Sequence, residues 1–213
     1  MTTRSLKVVR SRALDRRWFL HHAGLLVPFI LAAAPAHGAE RAGSVDDVKG
    51  EAFADAAGAR RVLAHAAPVF LGDQVSTGLA SRLGMRLGRD TTIRLGENAR
   101  LTIDRFLAGA GGEMTLQSGP LLLDRPAGSS RAPLQIRSPF ALIAVRGTRF
   151  WGGPSNGPFG IFCARGVVTV TGAGQQVVLH TGEGTDFSAP GSAPTPVKRW
   201  QPPRVRAALA SVS

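Results

Sequence analysis

Short runs in which apolar residues alternate with polar or small ones fill the middle of this chain. Leu83, Met85 and Leu87 follow this pattern, which returns at residues 93–95 and 101–103. Neighbouring side chains on a β-strand point to opposite faces, so the alternation buries one face and exposes the other to water. Gly, Asp or Asn bounds each run, and these are turn residues. The pattern predicts an all-β domain of short stacked strands, either a β-solenoid or a sandwich.

Turn residues also divide the second half of the chain. Runs at 159–164 and 167–170 are predicted to pair across Arg165-Gly166. The sequence predicts one domain over residues 44–188. Residues 189–213 are rich in Pro and basic residues, and we expect a tail that is extended and partly disordered. One or two helical turns are expected within 205–212.

The first 36 residues have the composition of an export signal. Arg16 and Arg17 follow a basic stretch and precede Trp18-Phe19-Leu20, an apolar run spans 23–34, and Ala34-Pro35-Ala36 offers a cleavage site. The adjacent arginines indicate the twin-arginine route. The apolar run is about half the length that crosses a bilayer, so no stable membrane anchor is expected after cleavage. The sequence thus predicts a periplasmic protein.

The charge balance limits the kinds of partner. The chain carries a net charge of +12, of which residues 1–36 hold six basic residues and one acid, so the processed chain keeps +7. Nucleic acid is not expected as a partner outside the cytoplasm. Contact with an anionic surface stays open, and so does the alternative that the arginines are solvent-facing positions on strands.

Catalytic chemistry has little support in the sequence. Cys163 is the only cysteine and lies in an apolar run, which favours a buried side chain over a nucleophile. The five histidines form no His-x-x-x-His pair, and the acids are scattered. We therefore predict no catalytic residue, cofactor or metal site; an enzyme would need acids that cluster in a cleft.

Two motifs carry a family resemblance. Residues 72–78 read Gly-Asp-Gln-Val-Ser-Thr-Gly, and residues 145–150 read Val-Arg-Gly-Thr-Arg-Phe. Together with Ser138-Pro139 and the alternating runs, they resemble the FecR domain, the periplasmic part of iron-dicitrate-type sensor regulators, here in a stand-alone exported form. The positions that match the motifs are Gly72, Asp73, Thr77, Gly78, Arg146, Gly147, Thr148 and Phe150.

The resemblance implies a β-rich domain that engages protein partners in the periplasm. It also implies that the motif residues are mainly structural, with Arg146 as an alternative partner-binding anchor. The full-length regulators carry a cytoplasmic anti-sigma region and a transmembrane helix that the resemblance does not extend to here. Binding of a cytoplasmic sigma factor is therefore not expected.

The predicted function is a non-catalytic module for protein interaction and sensing in envelope signalling, with an envelope protein as partner. The alternative is a β-module that binds carbohydrate or another envelope polymer. The arginine-rich strand faces and two tryptophans outside the signal, Trp151 and Trp200, motivate that alternative.

Overall fold

The computed structural model describes residues 40–107, 111–128 and 133–213. These residues form two nine-stranded β-sheets that pack as a sandwich, followed by one short helix. The all-β prediction is confirmed, in its sandwich form. Arg16 and Arg17 lie outside the described residues. Within those residues, no helix has the length and apolar character that a membrane span requires.

The two sheets take strands from the whole length of the chain. Sheet 1 contains, in spatial order, β18 (Lys198–Arg199), β17 (Glu183–Phe187), β14 (Phe159–Arg165), β13 (Arg149–Pro154), β10 (Leu121–Asp124), β7 (Thr91–Leu95), β6 (Arg82–Leu87), β1 (Arg41–Lys49) and β4 (Pro68–Phe70). Sheet 2 contains β16 (Gln175–His180), β15 (Val167–Gly172), β12 (Leu142–Val145), β11 (Leu134–Arg137), β9 (Gly111–Ser118), β8 (Arg100–Leu107), β5 (Gln74–Thr77), β2 (Ala52–Ala56) and β3 (Ala59–Val62). Among these strands, neighbours are antiparallel except β9 and β11, which run parallel.

The core lies between the sheets and uses the alternating residues. Met85, Leu87, Ile93 and Leu95 of sheet 1 are completely buried, and Leu101 of sheet 2 meets them from the other side. Their polar neighbours on the same strands face outward. The alternation in the sequence therefore identified both the strands and the face that each strand buries.

The predicted hairpin across Arg165-Gly166 is wrong. β14 belongs to sheet 1 and β15 to sheet 2, so the chain crosses from one layer to the other at this point. Gly166 has a φ of +88°, and a Cβ on it would lie 3.1 Å from the carbonyl oxygen of Gly147. A glycine with a positive φ permits a sharp change of chain direction. It does so equally when the next strand pairs with the preceding strand and when the next strand joins the other sheet.

The segment after Ser188 is not a loose tail. The N–H of Thr195 donates to the carbonyl of Asp186 (3.0 Å), β18 pairs with β17, and helix α1 spans Pro202–Ala210. The rings of Trp200 and Phe162 stack with centroids 5.1 Å apart. The outer face of sheet 1 carries an apolar patch here, and the C-terminal segment covers it.

Arg204 fastens this segment to the sandwich. Its guanidinium donates hydrogen bonds to both carboxylate oxygens of Asp186 and to Ser155 Oγ (3.0 Å), and it lies 3.6 Å from the ring centroid of Trp200. Burial acts to raise the pKa of Asp186, but the hydrogen bonds from Arg204 and Lys198 outweigh burial, so the pKa lies below its ordinary value. Asp186 is therefore ionised at neutral pH and holds both cations.

Gly184 tests whether this docking is tight. A Cβ at position 184 would lie 2.6 Å from the carbonyl oxygen of Ile161 and against the indole of Trp200. We expect Gly184→Ala to lower the free energy of unfolding by about 1–3 kcal/mol, because neither the strand nor the ring can yield freely. Urea unfolding followed by tryptophan fluorescence measures this.

Gly174→Ala is the matched control, because a Cβ there meets no atom within 4 Å. Because Gly174 has a positive φ, an alanine at this position adds backbone strain but no steric overlap with neighbouring atoms. Equal unfolding energies for Gly184→Ala and the unmodified chain would contradict the tight docking of Trp200.

Candidate functional site

Asp73 of the first motif ties the start of β5 to its neighbours. Its side chain is completely buried, forms an ion pair with Arg61 (2.6 Å) and accepts a hydrogen bond from the N–H of Phe70 (2.8 Å). Gly72 precedes it with a φ of +82°, and its N–H donates to the carbonyl of Ile103. The Gly-Asp pair therefore closes the turn between β4 and β5.

Thr77 and Gly78 close the other end of β5. Thr77 Oγ1 donates to the carbonyl of Gly96 (2.6 Å) and accepts the N–H of Ala99 (3.0 Å). The N–H of Gly78 donates to the carbonyl of Glu51 (3.0 Å). These bonds join the β1–β2, β5–β6 and β7–β8 connections to one another, which is a structural role.

The second motif lies where the chain leaves sheet 2 for sheet 1. Gly147 has a φ of +61°, and a Cβ on it would lie 3.1 Å from Cα of Ala127. Thr148 is buried, and its carbonyl accepts the N–H of Arg125 (2.9 Å). Phe150 is completely buried in the core. Only Arg146 of this motif is exposed, and it makes no ion pair with a described residue.

The structure does not gather the motif residues into one site. β8, β9 and β11 separate β5 from β12 in sheet 2. Adjacent strands lie about 4.8 Å apart, so the two motifs are roughly 19 Å from each other across the sheet. Seven of the eight motif residues serve turns, corners or the core, and Arg146 alone is directed to solvent.

The chemistry of Cys163 is that of a buried thiol. Burial is the main cause that raises its pKa to about 11, and its Sγ lies 3.3 Å from the carbonyl oxygen of Gly166. A thiol with this pKa is almost entirely protonated at neutral pH and is a poor nucleophile. In the described part of the chain, no three His, Cys, Asp or Glu side chains come together as a metal site would require.

The tryptophans give no platform for a sugar. Trp151 is 0% exposed and Trp200 is 5% exposed, and the Nε1 of Trp151 donates to Ser211 Oγ (3.1 Å). A ring that stacks on a carbohydrate needs an open face, which neither residue has. The carbohydrate-binding alternative therefore loses the tryptophans on which it was based.

Most arginines on the strand faces neutralise nearby acids. Arg60 pairs with Asp55 (2.8 Å), and Arg165 pairs with Asp124 (2.7 Å). Further exposed pairs join Arg86 to Asp46 and Arg137 to Glu113. Exposed pairs of this kind stabilise a fold by only about 0–1 kcal/mol each. They do, however, leave these parts of the surface with little net charge.

One part of sheet 2 presents a surface of a different kind. The outward residues of β12, β15 and β16 form what we call the neutral face, which has no Lys, Arg, Asp or Glu and is composed of Leu142, Ala144, Val167, Thr169, Thr171, Gln176, Val178 and His180. Val167 and Val178 are nearly half exposed. Arg146 lies at the border of this face, at the end of β12. The neutral face, with Arg146 beside it making no ion pair with a described residue, is the candidate contact surface.

A second feature is a crevice at the end of the sandwich that holds the turn after Ser118. Its volume is about 220 Å³, and Pro139, Phe140, Pro154 and Phe159 contribute to its lining. The rings of Phe140 and Phe159 stack with centroids 4.4 Å apart. The crevice is smaller than the roughly 300 Å³ at which small-molecule sites begin.

Comparisons with known proteins give a family and a fold. The family model of FecR protein matches residues 73–169. Two crystal structures of a candidate anti-sigma factor from Parabacteroides distasonis superpose on this chain with TM-scores of 0.52 and 0.51 at 15% identity. Each match covers 64% of this chain and 64% or 63% of the other chain. At that identity, the likeness establishes the fold alone. No curated protein matches the sequence at a significant level.

The buried thiol gives a prediction about reactivity. At pH 8, a pKa of about 11 leaves about one Cys163 thiol in a thousand as thiolate. We expect the native chain to react with a thiol-specific disulfide reagent far more slowly than the same chain in urea. Absorbance of the released aromatic thiol follows both reactions, and equal rates would contradict the burial of Cys163.

Proposed function

Residues 73–169 form a FecR domain, and from this we propose that the chain is an exported, non-catalytic module that binds a protein partner in envelope signalling. The family is associated with signalling through protein contacts rather than with catalysis. The solved protein of the same fold is described as a candidate anti-sigma factor, a class whose partners are proteins. Both facts favour a protein partner over a small-molecule substrate.

The observation that carries the proposal is how the motif residues are used. The side chains of Asp73 and Thr77 form hydrogen bonds within the fold, Gly147 supplies a positive φ, and Thr148 is buried with its carbonyl bonded to the N–H of Arg125. A catalytic site would instead direct several polar side chains into one cleft. What the domain offers to other molecules is surface, and Arg146 at the border of the neutral face is its most distinctive exposed group.

Export by the twin-arginine route is part of the proposal. Arg16 and Arg17 support it, together with the short apolar run and the Ala-x-Ala site that follow them. A chain delivered outside the cytoplasm meets envelope proteins as partners. The excess of arginine over acids in the processed chain also favours an acidic partner surface.

The route can be tested by replacing both arginines with lysine. We expect Arg16→Lys with Arg17→Lys to move the chain from the periplasmic fraction to the cytoplasmic fraction, because the twin-arginine route reads the guanidinium pair. Immunoblots of fractionated cells measure this. Lys7→Arg, which keeps the charge of the basic stretch, is the control. Unchanged periplasmic delivery of the double variant would contradict this route.

Partner binding can be tested on Arg146. Arginine is frequent among residues that dominate interfaces, where truncation costs more than about 1 kcal/mol. We expect Arg146→Ala to reduce capture of an envelope protein about tenfold, which corresponds to about 1.4 kcal/mol. The bait is the full chain with an affinity tag after the exposed Ser213, expressed in its own host and crosslinked before lysis.

Arg94→Ala is the matched control for this experiment. Arg94 is also an exposed strand arginine without an ion pair to a described residue, but it lies on sheet 1. Equal losses for both variants would indicate a general charge effect rather than a contact at the neutral face. If no envelope protein is enriched by the unmodified bait, the proposed function itself fails.

A further inference from the structure

The four outer edges of the two sheets are not protected in the same way. An exposed edge strand offers unpaired N–H and C=O groups to any other strand, and proteins block such edges with proline, charge or short length. β4 has three residues and begins with Pro68. β3 has four residues and carries Arg60 and Arg61. Beyond β17 lie the two-residue β18 and the segment that contains Pro194 and Pro196.

The residues of β16 itself supply none of these protections, and on its open side only the N–H of His180 at its end is occupied by a described group, the Glu183 carboxylate. β16 spans six residues, Gln-Gln-Val-Val-Leu-His, with no proline and no Lys, Arg, Asp or Glu. Its register with β15 is unbroken over all six pairs, so no bulge turns the strand away. Val178 is 42% exposed, and Gln175, Gln176 and His180 are exposed. β16 is therefore a long, flat and uncharged edge.

Two observations show which backbone groups of β16 face the open side. The β15–β16 turn has two central residues, Ala173 and Gly174, with φ values of +47° and +76°, as in a tight two-residue hairpin. In such a hairpin, the flanking residues Gly172 and Gln175 form two backbone hydrogen bonds with each other. Along the two strands, hydrogen-bonded pairs then alternate with pairs that form no hydrogen bond. The N–H groups of Gln176, Val178 and His180 must then point away from β15.

The contact of His180 agrees with this assignment. Its N–H donates to Glu183 Oε2 (2.8 Å), outside the strand ladder. Residues of the same parity on a strand share the direction of their backbone groups. Gln176 and Val178 therefore direct their N–H groups to the open side, and no described group outside the ladder bonds to them.

We propose that β16 is a self-association edge, where a second copy of this chain adds its own β16 in antiparallel orientation. A two-fold axis at Val177 sets Gln176 of one copy opposite Val178 of the other. All four open N–H groups then find carbonyl acceptors, and the half-buried Val177 meets its own symmetry mate on the core side. Sheet 2 continues across the axis, and the neutral faces of both copies join.

Charge selects this edge over the others for a second copy. The processed chain carries +7, so two copies repel at long range. β16 brings no Lys, Arg, Asp or Glu to the axis, whereas β3 carries Arg60 and Arg61, whose ion pairs with Asp55 and Asp73 an added strand would have to accommodate. Pairing through β4 or the Pro194 segment would lack N–H donors. Because the repulsion is screened by salt, association should strengthen as ionic strength rises.

The test uses sedimentation of the purified chain at concentrations up to about 1 mM. We expect a monomer–dimer equilibrium whose dissociation constant decreases as the salt concentration is raised from about 0.01 M to about 0.15 M. Val178→Pro removes an N–H that faces the open side, so the ladder with β15 stays intact. We expect it to raise the dissociation constant at least tenfold. Val178→Thr keeps the N–H and the branched side chain and should leave it unchanged.

Two results would overturn the proposal. The first is that the unmodified chain is a monomer at every protein and salt concentration. The second is that Val178→Pro and Val178→Thr have the same dissociation constant. Circular dichroism checks that the proline variant is folded. If it is not folded, Val178→Lys replaces it, because like charges near the axis oppose pairing while the backbone is kept. The result does not depend on the envelope partner, so either proposal can fail while the other stands.

Discussion

The two-layer core is the constraint on which the rest of this structure depends. Most strands give one face to the space between the sheets, where side chains such as Met85, Ile93 and Leu101 are completely buried. What remains for contact with other molecules is the outer face, the edges and the turns. Many of the turns are occupied as well, because Asp73, Thr77 and Gly147 use them to pass the chain between layers. Specificity in such a domain has to come from its exposed faces and edges.

The outer faces of the two sheets differ in whether another segment covers them. On sheet 1, Leu122, Trp151 and Phe162 make an apolar patch that the C-terminal segment covers. On sheet 2, the strands near β16 carry small, branched and amide side chains that water tolerates, and nothing described covers them. The first surface is therefore a third packed layer, and the second is the one open to partners. Arg146 lies beside the open surface, which is why the family motif contributes one exposed residue to it.

The sequence predicted strands reliably where one face of the strand is exposed to solvent. Alternation predicted the strands around Leu83 and Ile93, because a residue on the wrong face would place polar atoms in the core. Where both faces of a strand are covered, alternation gave no buried face, although the strand itself was predicted at 159–164. β14 is apolar at nearly every position, which is the sign of a strand buried on both faces, and this run could have shown that something packs on its outer side. Proline content in 189–213 suggested disorder, although the prolines there protect an edge and begin a helix.

The destinations of the strands and the partners of the motif residues were beyond single-sequence reasoning. Gly166 marks a change of direction equally well for a hairpin and for a crossing between sheets. Arg61, which pairs with Asp73, lies in an Ala-rich hairpin of weak β-propensity that gave no strand signal. Most of the motif residues occupy turns, corners and the core, where the fold limits which residue types fit. The same fact made them poor guides to the surface that contacts a partner.

The place of Trp200 in the chain has a consequence for biogenesis. The ring that seals the patch on sheet 1 follows the strands of the sandwich in the chain, so this ring and α1 are synthesised after the surface on which they dock. Until Trp200 and α1 dock, Leu122, Trp151 and Phe162 are accessible to chaperones, which bind exposed apolar surfaces. Any prematurely terminated product would keep them open permanently. Docking of Trp200 and α1 is therefore the step that removes this apolar surface from contact with other molecules.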